Sequence, residues 1–157
     1  MTKSAEQWQS VEIISGNMYS YRKTGNRFIV SLDNHVEIFS ALTAFCRDMG
    51  IGSGSISGIG ALSGMTLRFF DPSTKKYVDK EFNEQMEIAN LTGNVSTLEG
   101  DVYLHLHIVA GRRDYTALAG HLLSATLNGA GEFFVEDYGV SAERIHDPEL
   151  GLNVYKF

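Results

Sequence analysis

The sequence predicts an α+β fold: an antiparallel β-sheet with one principal α-helix. Three observations point there. Short aromatic and β-branched segments recur along the chain, separated by Gly, Asn, Asp and Pro. Only the segment from Asn34 to Gly50 carries a clear apolar stripe at helical spacing. Strands and helices do not alternate as they would in a parallel α/β sheet.

The elements follow in order. Val11–Ile14, Met18–Tyr21 and Arg27–Leu32 read as short strands, with Lys23-Thr24-Gly25-Asn26 as a hairpin turn. Asn34 is the expected helix N-cap, with Glu37 three residues on in a variant capping box. Val36, Phe39, Leu42, Cys46 and Met49 form the apolar stripe, and Gly50 ends the helix in a left-handed cap. Cys46 lies on that stripe and reads as a small core residue. His35 falls in the first turn and reads as surface.

A glycine-dense stretch follows: Gly50, Gly52, Gly54, Gly58, Gly60 and Gly64. It lacks both Gly-x-Gly-x-x-Gly before a helix and Gly-Lys-Ser/Thr, so it is not a phosphate loop. It reads as a small-residue strand against which another backbone or the helix packs closely. Asp71-Pro72-Ser73-Thr74 is a turn. Tyr77-Val78, Met86–Leu91 and Asp101–Val109 read as strands. Ala117–Leu127 is ambiguous: its alanines and leucines suit a helix, but Gly120 lies inside it and Thr126-Leu127 leads to Asn128-Gly129. Glu132–Tyr138 is a strand, and the tail through Val154-Tyr155 is a turn and a last strand.

The 157 residues are enough for one domain with a core, and no internal repeat divides them. The net charge of −6 is a poor start for general DNA binding, which requires cations to displace counterions from phosphates. One cysteine excludes an intramolecular disulfide framework and fits a reducing compartment. The polar N-terminus has no apolar signal core, and no apolar run approaches a membrane span. A cytoplasmic location is the expectation.

The chemistry concentrates in three histidines. His105 and His107 are two apart on a predicted strand, so both imidazoles face one way while Leu104, Leu106 and Ile108 face the other. His121 follows 14 residues later, at a position that periodicity does not place. Three neutral imidazoles and a water make a tetrahedral zinc site with an open position, able to lower the pKa of that water. Strand histidines can equally hydrogen-bond in a core or sit on a wet face. Asp101, Asp114 and Glu132 are candidates to support such a site from behind. His35 and His146 have no partner at ligand spacing. Arg112-Arg113 follow the histidine strand and could attract a small anion, although a solvated loop pair is the commoner role. No nucleophile elbow occurs.

Taken in order, Gly58-Ile59-Gly60-Ala61-Leu62-Ser63, Met86-Glu87-Ile88 with Leu91-Thr92-Gly93-Asn94, Leu104-His105-Leu106-His107 and Gly120-His121-Leu122 resemble the PPC domain, the plants-and-prokaryotes-conserved domain. The resemblance implies a PPC-like domain over residues 10–156. It also implies an antiparallel sheet of about seven strands with a helix, assembled as a homotrimer. In plants the domain follows AT-hook DNA-binding motifs; in bacteria and archaea it usually stands alone and is often labelled DNA-binding. Prokaryotic members can hold zinc at positions that match His105, His107 and His121. Ala119 departs from the family's Gly-Gly-His-Leu pattern, and no Arg-Gly-Arg-Pro hook is present. The expected function is therefore a stand-alone module, DNA-binding or regulatory, that forms a trimer and holds zinc. The alternative is a zinc-dependent enzyme or small-anion-binding protein using an open metal position.

Overall fold

The computed structural model describes residues 13–157. Their strands are β1 (Ile14–Ser15), β2 (Tyr19–Thr24), β3 (Arg27–Leu32), β4 (Gly54–Asp71), β5 (Lys76–Phe82), β6 (Met86–Leu98), β7 (Asp101–Gly111), β8 (Ala117–Asp137), β9 (Glu143–Asp147) and β10 (Leu152–Tyr155). One helix, α1 (Ile38–Asp48), stands between β3 and β4. The class is α+β as expected. Ten strands replace the expected seven or so, because short β1, β9 and β10 join the margins of the sheet. Val11 and Glu12, the start of the first expected strand, lie outside the described residues.

The pairings explain the long strands. β4 pairs with both β6 and β8, and β7 pairs with both β6 and β8, all antiparallel. These four strands therefore close a cycle. The far end of β8 also carries β3, which carries β2 and then β1. β5 folds back on β4, while β9 joins β6 in parallel and pairs with β10. The ambiguous segment Ala117–Leu127 is strand, because it lies between β4 and β7. Pairing on both sides outweighs its alanine and leucine helix propensity.

The glycine-dense stretch enters β4, as the missing phosphate-loop motif implies. A Cβ on Gly58 would lie 2.2 Å from the Phe133 ring, so only glycine admits β8 this closely.

α1 presents Ile38, Ala41, Leu42, Phe45 and Cys46 to the core, at the i, i+3, i+4 recurrence of an amphipathic helix. Phe45 packs edge-on against Tyr19, Tyr21 and Phe28 of the first hairpin, with ring centroids 5.2–5.5 Å apart. Of the expected stripe, Leu42 and Cys46 are fully buried, whereas Val36, Phe39 and Met49 flank the core. Burial also pushes the Cys46 thiol up to about 12. Gly50 ends the helix at φ 66°, with Gly50 N bonded to Arg47 O and Ile51 N to Cys46 O.

The N-terminus corrects the expectation of an Asn34 cap. Glu37 is the N-cap: its carboxylate accepts from Phe39 N at 2.9 Å and Ser40 N at 2.7 Å. It also accepts from Ala125 N at 3.1 Å, which ties the helix start to β8. Asn34 instead accepts from Gly129 N, and His35 turns the chain at φ 67° ahead of the helix. No helix among the described residues is long and apolar enough to cross a membrane.

Candidate metal centre

Strand alternation divides β7 as its sequence predicts. Leu104, Leu106 and Ile108 are buried in the core, while His105 and His107 share the opposite face. The antiparallel register then supplies the third histidine, because His107 of β7 pairs directly with His121 of β8. Two neighbouring strands thus bring all three rings together. On the other side of β7, β6 sets Gly93 against Leu106, between the partners of His105 and His107. A Cβ on Gly93 would fall 2.0 Å from His105 O, so glycine permits the pairing that holds this strand.

The imidazole donors lie within 4.8 Å of one another. His105 Nε2 and His107 Nε2 are 3.3 Å apart. A tetrahedral zinc ion with nitrogens at about 2.1 Å spaces its ligands about 3.4 Å apart, so this pair already has the edge length of such a polyhedron. Burial, then the neighbouring His105 and His107, then Arg68, pushes His121 down to about 4. Burial first, then His107 and Arg144, lowers His105 as well. Both rings are therefore neutral near pH 7, the form that binds metal. The donor set fits a divalent ion of zinc's kind.

The histidines open on a cavity of about 530 Å³, whose aromatic wall includes Tyr77, Tyr103 and Tyr155. Two guanidiniums line it, Arg68 and Arg144. Arg68 pairs in register with His121 on β8 and with Asp79 on β5. It grips the Asp79 carboxylate with two bonds, of 2.7 and 2.8 Å, which holds that carboxyl below its ordinary range. Arg144 arrives on β9, where Leu98 of β6 is its partner.

Arg112 and Arg113 do not line this cavity. Arg112 pairs with Glu84 at 2.8 Å and Arg113 is exposed. The expected supporting carboxylates are also engaged elsewhere. Asp101 binds Arg47, Asp114 accepts from Thr116, and Glu132 lines a separate cavity. His35 and His146 are exposed and outside the cluster. Sequence reasoning missed Arg68, Asp79 and Arg144. Met65–Phe70, which holds Arg68, reads as strand from the sequence, but the cross-strand register that joins Arg68 to Asp79 is a tertiary fact.

The comparisons with known proteins bear on this arrangement. The model of the Plants and Prokaryotes Conserved (PCC) domain matches residues 19–138. The chain belongs to this family. A crystal structure of a "putative DNA-binding protein" from Bacteroides thetaiotaomicron is 64% identical, covering 90% of this chain and 99% of that one, with a TM-score of 0.88. A metal-containing protein from Archaeoglobus fulgidus is 29% identical over 96% of this chain and all of that one, with a TM-score of 0.79. A plant- and prokaryote-conserved protein from Pyrococcus horikoshii is 26% identical over 92% and 98%, with a TM-score of 0.78. No curated protein matches the chain. Within this PCC domain, Ala119 is accommodated in regular strand opposite Val109, so the departure from Gly-Gly-His-Leu leaves the pairing beside His121 intact.

Proposed function

We propose that this PCC domain is a metal-binding module in which His105, His107 and His121 hold one zinc ion, with a coordination position open to the cavity. The convergence of three imidazole donors from two paired strands carries this reading. A metal-containing relative of the same fold supports it. When bound, zinc supplies Lewis acidity. The chain's own part is to present neutral imidazoles, to wall the site with aromatic rings, and to hold Arg68 beside His121 through Asp79. Metal analysis of the purified protein and calorimetric zinc titration test the proposal. We expect one ion per chain and at least about a 100-fold loss of affinity in His107→Ala. Unchanged zinc affinity in that variant would overturn the assignment.

The homotrimer expected of the family has support in an apolar face. Ile29, Ile59 and Phe134 are each more than half exposed beside a cavity of about 650 Å³. We read this face as the contact between copies. A cytoplasmic location accords with the single buried thiol, Cys46.

DNA binding or a regulatory role is the second reading, and the description of the Bacteroides relative favours it. The charge of −6 weighs against a broad phosphate interface. Fluorescence anisotropy with a labelled duplex separates the two readings. Binding that weakens steeply with added salt supports DNA recognition, and none at low salt excludes it.

A further inference from the structure

Arg144 is 6% exposed and has no carboxylate partner among the described residues. Arg27, Arg47, Arg68 and Arg112 each have one, and Arg22 and Arg113 are exposed. The bonds of Arg144 all go to neutral acceptors. Nε donates to Ser96 Oγ at 2.8 Å, one terminal nitrogen to Asn153 O at 2.9 Å, and the other to Asn94 Oδ1 at 2.9 Å. A guanidinium has five N–H donors, so one remains on each terminal nitrogen. A buried cation without a counter-charge is costly, and an anion arriving beside it recovers part of that cost.

Arg144 lines the same cavity as the histidines. The Tyr155 and Tyr103 rings lie 4.1 and 5.2 Å from the guanidinium carbon. With one donor left on each terminal nitrogen and aromatic rings beside it, the group can serve the two oxygens of an organic carboxylate. Arg68, the other guanidinium of the cavity, is already neutralised by Asp79.

We propose that Arg144 is the carboxylate-recognition residue of this cavity. A small organic carboxylate binds its remaining N–H donors and turns its other polar end toward the histidines. The second half of this statement rests on the metal reading above; the first does not.

Malonate and its neutral analogue malonamide, titrated by calorimetry into zinc-loaded and metal-free protein, test the proposal. We expect malonate to bind the loaded protein about thirtyfold or more tightly than malonamide. Arg144→Met should remove that preference while one zinc ion per chain still binds. Because Arg144 is buried and that variant can misfold, the nitrogen NMR signal of Arg144 Nε is followed in the wild-type protein. It should shift on adding malonate and stay in place with malonamide. Equal binding of the two compounds, no malonate binding, or malonate binding that leaves this signal unmoved overturns the proposal. If zinc does not bind but metal-free protein still prefers malonate and shifts the Arg144 signal, the metal reading falls and the carboxylate site stands. If neither zinc nor malonate binds, both fall.

Discussion

At the scale of single residues, the metal-free site should make the protein sensitive to mild acid. His121 has a folded value of about 4 against an ordinary 6.5, so the folded chain binds fewer protons than the unfolded chain between these values. Stability is then fully present above pH 6.5 and is lost as pH falls toward 4. His105, also lowered, adds to the effect with the same sign. Urea denaturation of metal-free protein should show a lower midpoint at pH 4.5 than at pH 7.5, with a smaller difference in His121→Phe. Gly93 is the second sensitive position. In Gly93→Ala the added carbon meets His105 O, a backbone atom that cannot swing aside. A loss of about 3 kcal/mol in stability is expected, together with weakened zinc binding, read by denaturation and calorimetry. The pairing of His105 with His107 was legible in the sequence because strand period alone places both on one face. Arg144 was not legible: beside Glu143 it reads as an ordinary surface charge, and its burial comes from the pairing of β9 with β6 and β10 and from the Tyr103 and Tyr155 rings.

At the scale of elements, the first turn of α1 depends on one carboxylate. Glu37 serves two helix amides and, through Ala125 N, the adjoining strand. Glu37→Ala should cost about 2 kcal/mol and lower the melting temperature measured by circular dichroism. If melting is unchanged, the cap is not what anchors the helix to β8. The helix itself was legible from its apolar spacing and its terminal glycine, but the start was not. Asn34 has a typical capping side chain, yet β8 takes its oxygen through Gly129 N, which leaves the cap to the next acceptor along. The segment after Ala117 was undecided for a related reason. Local propensity does not determine a strand that is fixed by partners on both sides.

At the scale of the whole molecule, the exposed apolar face on β3, β4 and β8 is distinct from the histidine cavity: the two share no lining residue. Assembly and metal binding should therefore be separable by mutation. Phe134→Glu places a charge on a side chain that is 61% exposed in the single chain. Light scattering should show the proposed trimer reduced to smaller species, while the proposed stoichiometry of one zinc per chain is kept. A trimer that persists in this variant would place the contact elsewhere. The antiparallel architecture was legible from recurrent short segments and turn residues. The closing of β4, β6, β7 and β8 into a cycle was not, since it depends on β7 finding a second partner in β8.

The three histidines belong to a single hairpin, β7 and β8, joined by a short turn in which Arg112 N bonds Thr116 O. An ion held there would act as a local clasp: it would resist the unzipping of neighbouring strands without bracing the distant helix. Amide hydrogen exchange should register this as slower exchange along Leu106–Leu122 when zinc is added, with little change along α1. The hairpin would then be the segment whose opening and closing keeps time with the loss and capture of its ion.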